Sequence, residues 1–464
     1  MKVSLSKIKD SLEKPVHIAP LAMFRFLFGG IMLISIVRFA LNGWIYDLYI
    51  EPQYHFTYFG FEWVKAPGDL GMYLIFALMG LAAFGVMIGA FYRWSASLFF
   101  LSFTYVELID KTNYLNHYYF VSIIAFLLVL VPAGSYFSFD SWKKGTILEK
   151  VPRWQLGIFR LQLGMVYFFA GIAKLNPDWL FLAQPLKTWL PAKSHLPLIG
   201  PLLKIKLVAY IFSWFGALYD LFIPFLLSFR RSRPFAYLMV IGFHVMTWLL
   251  FQIGMFPFIM ILSTLVFFST EWHLKRIKWI ESLVNRSGLF VRKSLQTVSS
   301  SGAKSWRYRV LVGIVSVHFI LQLLLPFRYV LYPGKLFWTE QGYRFSWRVM
   351  LMEKAGYAIF RVRDPETGHE AEIYNLDYLS PNQEKMMSTQ PDMILQFAHF
   401  IDHSYRKKGI KDPEVRAEVY VTLNGSGSRL FIDPERDLSL ERETFGHKDW
   451  ILPFERNDNY ASKQ

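Results

Sequence analysis

The chain has 464 residues, of which 53% are hydrophobic and only 18% charged. With a mean hydropathy of +0.28, this composition excludes a disordered chain, a collagen-like fibre and an ordinary soluble enzyme with a charged surface. The absence of cysteine excludes disulfide bonds, iron–sulfur clusters, thiolate-bound zinc and a cysteine nucleophile. The formal net charge of +15 has to be interpreted from where the charges lie, because the composition indicates a protein with much of its length in a bilayer.

About nine apolar stretches approach the roughly 20 residues that a membrane-spanning helix needs. The first is too long for a signal-peptide core and has no small-residue cleavage site, so we expect a retained anchor. The shorter stretches lie near the lower length limit. The predicted spans are Ile18–Leu41, Leu70–Phe91, Ser95–Ile109, His117–Val131, Gln155–Leu175, Leu207–Phe229, Pro234–Phe251, Met255–Ser269 and Val310–Pro326.

The distribution of lysine and arginine predicts the orientation of these spans. The segments before the first span and after every second span carry most of the basic residues, including the stretch 271–309. Because cytoplasmic loops are enriched in lysine and arginine, we expect a cytoplasmic N-terminus and a basic cytoplasmic loop at 271–309. This loop is expected to lie beside anionic lipid rather than to bind nucleic acid.

After Pro326 the sequence becomes mixed and nearly balanced in charge. Alternating runs at 357–364 and 417–423 indicate strands, and Pro391–Lys407 indicates an amphipathic helix. We therefore predict a polytopic α-helical membrane protein with a helical transmembrane domain, 1–326, and a small non-cytoplasmic α+β domain, 327–464. The host membrane is expected to be a bacterial inner membrane or the endoplasmic reticulum, with the C-terminus in the periplasm or lumen.

Ionisable side chains inside spans are costly and are functional candidates by default. They occur at Arg25, in the hairpin 107–117, in the Tyr167–Lys174 stretch and at His244. The simpler alternatives are a lysine that extends to the interface, a structural histidine, a surface ion pair between neighbours in the hairpin, and an arginine bound to lipid phosphate or backbone carbonyls.

Several of these candidates share one depth near the outer face. The predicted topology places Asn116, His117, Lys174 and His244 there, close to Asp110 and Lys111 in the hairpin. Tyr167, Gly171 and Lys174 lie on one helix face, where the glycine leaves room for a close approach.

Two functions fit these residues. A desolvated, neutral Lys174 would be a base for a phenol-like group in a membrane enzyme that acts on a lipid-soluble substrate. The same cluster would also suit a transporter or receptor.

The chain resembles the vitamin K-dependent γ-glutamyl carboxylases. The similarity lies in APLAMFRFLFG (19–29), LIDKTNYLNH (108–117), VYFFAGIAKLNPDW (166–179), FHVMTWLLFQIGMF (243–256), GYRFSWRVML (342–351) and IDPERD (432–437). The resemblance implies a membrane enzyme that oxygenates vitamin K hydroquinone with O2 to the epoxide. The strong base so formed carboxylates peptidyl glutamate with CO2, which is a carbon–carbon lyase-class reaction without a metal.

The resemblance also assigns roles to residues. Lys174 matches the base, His117 its partner histidine, and His244 a histidine near the same site. Asn116, Tyr167 and Gly171 are expected to bind the quinone, and Tyr343, Ser346 and Trp347 the substrate glutamate. Compared with the animal enzymes the chain is short and cysteine-free, so we expect a compact bacterial-type relative. The expected partners are a glutamate-containing protein or peptide and membrane lipid. The alternatives are a quinone epoxidase without efficient carboxylation and a non-enzymatic quinone- or lipid-binding protein.

Overall fold

The computed structural model describes residues 5–286, 295–298 and 306–455. Its helices are α1 Leu5–Glu13, α2 Ala19–Leu41, α3 Trp44–Tyr49, α4 Asp69–Ile88, α5 Tyr92–Ile109, α6 Asn116–Leu130, α7 Phe139–Lys144, α8 Arg153–Lys174, α9 Pro177–Leu180, α10 Leu186–Trp189, α11 Lys206–Ser228, α12 Arg233–Leu250, α13 Phe256–Ser263, α14 Thr270–Arg286, α15 Trp306–Leu324, α16 Leu336–Thr339, α17 Pro381–Met387 and α18 Pro391–Lys407. Its strands are β1 Pro15–His17, β2 Thr146–Leu148, β3 Lys150–Pro152, β4 Gln296–Val298, β5 Lys354–Arg363, β6 Glu370–Ile373, β7 Glu414–Leu423 and β8 Arg429–Leu430.

Six helices of the described chain are long and apolar enough to cross a membrane: α2, α4, α8, α11, α12 and α15 with its 3-10 extension. A seventh span results if α13 and α14, which meet at a bend of 117°, count as one. Most predicted spans therefore form helices with nearly the expected bounds. The count of nine is not confirmed, because α5 is not among the six, α6 is only 15 residues long and the predicted span Met255–Ser269 breaks after α13. The predicted orientation is not confirmed either.

Close packing around α2 explains two features of the sequence near the N-terminus. A Cβ atom on Gly29 of α2 would come within 2.4 Å of the Met87 backbone nitrogen, so this glycine lets α2 and α4 approach. Arg25 is fully buried and donates hydrogen bonds to four backbone carbonyls, those of Val86, Met87, Ala133 and Phe137. Of the alternatives for Arg25, the structure therefore supports binding to backbone carbonyls.

The C-terminal part contains an antiparallel four-stranded sheet in the order β6–β5–β7–β8. Strand β7 alternates strictly between buried and partly buried residues, which is the pattern of a strand with one face on a core. Helix α18 covers that face, where Phe397 packs at 5.0 Å from Phe360 of β5. The predicted strands and the helix Pro391–Lys407 are present, whereas the division into domains at residue 326 stays a prediction.

The basic stretch 271–309 is only partly covered by the described chain, since 287–294 and 299–305 lie outside it. Its first part is not a loop but the amphipathic helix α14, which packs Ile277 against Ala19 and Met23 of α2. Its predicted cytoplasmic location stays a prediction.

The membrane helices and the sheet region meet through the hairpin between α5 and α6. Asp110 accepts hydrogen bonds from Gln383 of α17, at 2.9 Å, and from the Thr112 amide. Lys111 forms an ion pair at 2.7 Å with Asp392 of α18. Both hairpin residues are 2% exposed, so the alternative of a surface ion pair between Asp110 and Lys111 is wrong. Lys111 is thus paired with a carboxylate more than 270 positions away, whereas Asp110 accepts from a distant neutral amide and lies 3.3 Å from Nδ1 of His55.

Candidate active site

Lys174 is the last residue of α8 and is 6% exposed. Its Nζ atom lies 2.6 Å from Oδ2 of Asp220, in the middle of α11, and 5.4 Å from the Trp179 ring centroid. Asp220 is 5% exposed, so the two groups form a buried pair in apolar surroundings. The sequence analysis expects a neutral amine at Lys174 and assigns it no carboxylate partner. The structure adds Asp220 as this partner: whichever group holds the shared proton, the other is its hydrogen-bond partner.

A second polar pair lies about two turns before Lys174, between α8 and α12. The Tyr167 hydroxyl of α8 is 2.9 Å from Nε2 of His244 in α12, and both side chains are 3% exposed. The other ring nitrogen of His244, Nδ1, is buried and has no hydrogen-bond partner within the described part of the chain. Buried polar atoms nearly always have partners, so this nitrogen is a candidate contact for a bound molecule.

The two pairs line the same cavity, which has a volume of about 110 Å³. Apart from them its walls are nearly all apolar or aromatic. This combination suits a flat, lipid-soluble molecule that carries a few polar atoms. The other lining residues are Val166, Ala170, Trp179, Leu186, Trp189, Phe212, Gly216, Phe243, Thr247, Phe251, Ile253, Phe256, Met260, Val349 and Met350. We call this space the narrow cavity.

Gly171 does not line the narrow cavity, although it shares a helix face with Tyr167 and Lys174. A Cβ atom there would lie 2.7 Å from the backbone nitrogen of Leu221. The space beside this glycine is therefore filled by α11, and the expectation that it leaves room for a ligand is corrected. Its local role is to bring α8 close to the helix that carries Asp220.

His117 and Asn116 lie at the start of α6 and face a different space. They line a wide cavity of about 760 Å³ between the membrane helices and the sheet region. Asn116 also donates to the Arg348 carbonyl at 2.9 Å, which links α6 to the segment 345–350. The expectation of one shared pocket for Lys174, His117 and His244 thus holds only for Lys174 and His244.

The two cavities share a wall. Phe256 lines both, with its ring centroid 5.4 Å from that of His117 and 6.0 Å from that of His244. Ile253, Val349 and Met350 complete this common wall. A single aromatic ring therefore lies between the histidine of each cavity.

Of the three residues expected to contact glutamate, only Tyr343 lines the wide cavity. Ser346 is 1% exposed and donates to the Tyr343 carbonyl, and Trp347 is 1% exposed and stacks on Tyr119 at 4.9 Å. These two residues shape the segment from within. Their roles stay predictions, as do those of all the site residues.

Cationic side chains of the wide cavity are held by carboxylates outside the spans. Asp392 of α18 accepts from Lys111 at 2.7 Å and from Arg344 at 2.6 Å. Burial alone would raise the pKa of Asp392, but Arg344 and Lys111 together hold it well below its usual range. Lys354 similarly pairs with Glu340 at 2.9 Å, and burial lowers the pKa of Lys354. Asp392 itself does not line the wide cavity, so its carboxylate holds Lys111 and Arg344 in position from outside the cavity.

Asp220, Phe256 and Arg344 are not among the residues predicted from the sequence. The rule that marks ionisable residues within spans applies to Asp220, in the run FGALYDLFIPF, and would have found it. No comparable signal exists for a phenylalanine among apolar neighbours. Among the residues described, no group of three histidine, aspartate or glutamate side chains could hold a metal ion. The predicted absence of a metal stays a prediction.

Comparison with known families agrees with the resemblance in the motifs. The HTTM domain model matches residues 13–272, which is more than half of the chain. The model of the lumenal domain of vitamin K-dependent gamma-carboxylase matches residues 307–457. No solved structure matches the chain. A helical part with several apolar spans, joined to a sheet-containing part that matches the lumenal domain, makes the chain an integral membrane member of the vitamin K-dependent gamma-carboxylase family.

Proposed function

We propose that this protein is a vitamin K-dependent γ-glutamyl carboxylase. Vitamin K hydroquinone, O2, CO2 and a peptidyl glutamate would yield the quinone epoxide, γ-carboxyglutamate, water and a proton. Membership of the family supports the use of vitamin K hydroquinone and of a glutamate-containing substrate.

The observation that carries the proposal is the presence of two unlike cavities on either side of one wall. The narrow cavity, apolar and aromatic around the Lys174–Asp220 pair, suits the naphthoquinone ring. The wide cavity has a more polar lining that includes Lys111, Arg344 and Arg348, which suit the carboxylate of a peptidyl glutamate. An enzyme that uses one oxidised substrate to activate another needs both sites close together.

The residues divide the work as follows. Lys174 would pass the proton of the ion pair to Asp220 and then, as a neutral amine, take a proton from the quinol hydroxyl. His244, oriented by the Tyr167 hydroxyl, would offer Nδ1 to the second oxygen of the ring. The apolar walls would exclude bulk water, which protects a strongly basic oxygen until the glutamate carbon meets it. His117, on the far side of Phe256, would face the glutamate and assist its deprotonation.

Purified protein in lipid nanodiscs, supplied with vitamin K hydroquinone, O2, labelled bicarbonate and a glutamyl peptide, tests the proposal. Epoxide together with fixed label supports carboxylation. Epoxide without label would identify a quinone epoxidase, and neither product would identify a non-enzymatic quinone- or lipid-binding protein. Lys174→Ala should abolish both products in folded protein, and epoxide formation at the wild-type rate would refute its role as the base.

A further inference from the structure

A chain of polar side chains crosses the apolar interior and joins α15, α8 and α6. Nε2 of His318 lies 3.0 Å from Oε1 of Gln162, and Nε2 of Gln162 donates to Oε1 of Gln322 at 3.2 Å. Nε2 of Gln322 then donates to the Tyr119 hydroxyl at 2.6 Å. The two glutamines are 0% and 4% exposed. Polar groups buried at such depth in spanning helices are expensive, so a specific use is expected.

The chain of hydrogen bonds has a direction and an end point. When His318 carries its proton on Nε2, every link donates toward α6, and aligned links polarise one another. The last acceptor is the oxygen of Tyr119. The ring of Tyr119 stacks on Trp347 at 4.9 Å and meets the ring of Phe345 edge-on at 5.0 Å. The hydroxyl is thus held from the bundle while the ring supports the segment 345–350.

This segment has an unusual backbone that needs support. Phe345, Trp347 and Met350 have φ values of 62°, 59° and 53°, in the left-handed region that side chains with a Cβ rarely adopt. Such conformations persist only where the surroundings impose them. Two residues at and just before the start of α6 hold the segment by hydrogen bonds. The Tyr114 hydroxyl accepts from the Phe345 amide at 2.8 Å, and Asn116 donates to the Arg348 carbonyl.

The supported segment carries part of the wall between the two cavities, since Val349 and Met350 line both. We propose that the hydrogen bond from Gln322 to Tyr119, backed by Gln162, positions this wall from within the membrane. Tyr119 and Gln322 are positioning residues, because neither lines the narrow or the wide cavity. The catalytic consequence, a setting of glutamyl-peptide affinity and of coupling between the two reactions, rests on the function proposed above.

A simpler role would be to fasten α15 to the bundle. Only 17% of the apolar window of α15 is buried, so few other contacts hold this helix. The two roles make different predictions. Fastening alone affects thermal stability, whereas positioning affects the wall and the kinetics of the folded protein.

Tyr119→Phe is the decisive variant, because it keeps the stacked ring and removes only the acceptor of the last hydrogen bond. We expect the KM for the glutamyl peptide to rise about fivefold, as for the loss of one hydrogen bond. Epoxide formed per carboxylation should increase, while the KM for the quinol stays near that of wild type and the Tm falls slightly, because the buried Gln322 amide loses its acceptor. Tyr105→Phe is the matched control, since it removes a hydroxyl bond of 2.7 Å to the Lys65 carbonyl on the exposed side of α5. Unchanged peptide KM and coupling in Tyr119→Phe would overturn the proposal.

A second measurement does not depend on catalysis. Oxidation of Met350 by dilute hydrogen peroxide, followed by mass spectrometry, should proceed severalfold faster in Tyr119→Phe and in Gln322→Leu than in wild type. Met393 of α18, which is fully buried, serves as the internal reference. A lowered Tm with unchanged oxidation of Met350 would identify mere fastening of α15 and refute the positioning role. Faster oxidation in an enzyme whose wild type forms no epoxide would refute only the proposed function.

Discussion

Replacing Asp220 by asparagine should cost about 3–5 kcal/mol of unfolding free energy, because it leaves the Lys174 ammonium buried without a counter-charge. The Nζ–Oδ2 distance is 2.6 Å, and each side chain is 7% exposed. At an effective dielectric constant of about 20, two unit charges at that distance attract each other by roughly 6 kcal/mol. The cost of desolvating both charges offsets part of this attraction. When one partner is removed, the other charge stays buried without that attraction, and the unfolding free energy falls.

Unfolding in detergent, followed by tryptophan fluorescence, measures this loss as a lowered Tm of Asp220→Asn. The double variant with Lys174→Met and Asp220→Leu removes both charges and should recover most of the stability, since apolar replacement of a whole buried pair is often neutral or better. It should nevertheless form no epoxide. If Asp220→Asn unfolded within about 1 kcal/mol of wild type, the two groups would not be held as an ion pair.

Three further predictions concern the wall, the helix contact and the charged cluster. Phe256→Ala should raise the epoxide formed per carboxylation several-fold. Phe258→Ala, on the same helix but outside both cavities, should not change this ratio. If both variants gave the same ratio of epoxide to carboxylation, the Phe256 ring would not separate the two cavities. Gly171→Ala should lower stability by about 1–3 kcal/mol because its Cβ meets α11, while Gly157→Ala, with no atom within 4 Å of its Cβ, should be neutral or slightly stabilising. The pKa of Asp392 is depressed, so its stabilisation is present above the unfolded-state value of about 3.9 and is lost on acidification. The Tm gap between wild type and Asp392→Asn should therefore be constant from pH 8 to 5 and shrink below about pH 4, and a gap that grew on acidification would contradict this reasoning.

The sequence predicts the helices well and their mutual arrangement poorly. The helix Pro391–Lys407 has the expected bounds, and the predicted span Gln155–Leu175 differs from α8 by one or two residues at each end. Apolar length and periodicity suffice for such elements because they are local properties. Asp110 and Lys111 show the limit: adjacent opposite charges indicate an ion pair, yet each is bound by a residue of the C-terminal part. Which distant side chain reaches a buried charge depends on tertiary packing.

The histidines show the same limit within the membrane. Depth along a helix follows from the rise of 1.5 Å per residue, so placing His117, His244 and Lys174 at one level was feasible from topology. The direction in which each residue points around the bundle is not determined by depth. In the structure the ring of Phe256 lies between His117 and His244, which the sequence analysis expects in one pocket. The division into two cavities does not follow from the sequence.

For Lys174, the requirement for charge balance predicts which kind of residue lies next to it. An isolated ammonium in the interior of a bundle is so unfavourable that its presence in one span implies an acceptor on a neighbouring span. Asp220 satisfies this requirement from α11, and Gly171 permits the close contact of α8 and α11 that brings the two groups within 2.6 Å. The three residues therefore act together: the glycine sets the distance between α8 and α11, and the aspartate neutralises the charge of the lysine. Their sequence pattern is a lysine and a small residue on one face of a span, together with a carboxylate inside another span. Unlike the lysine alone, this pattern predicts Asp220 as part of the site.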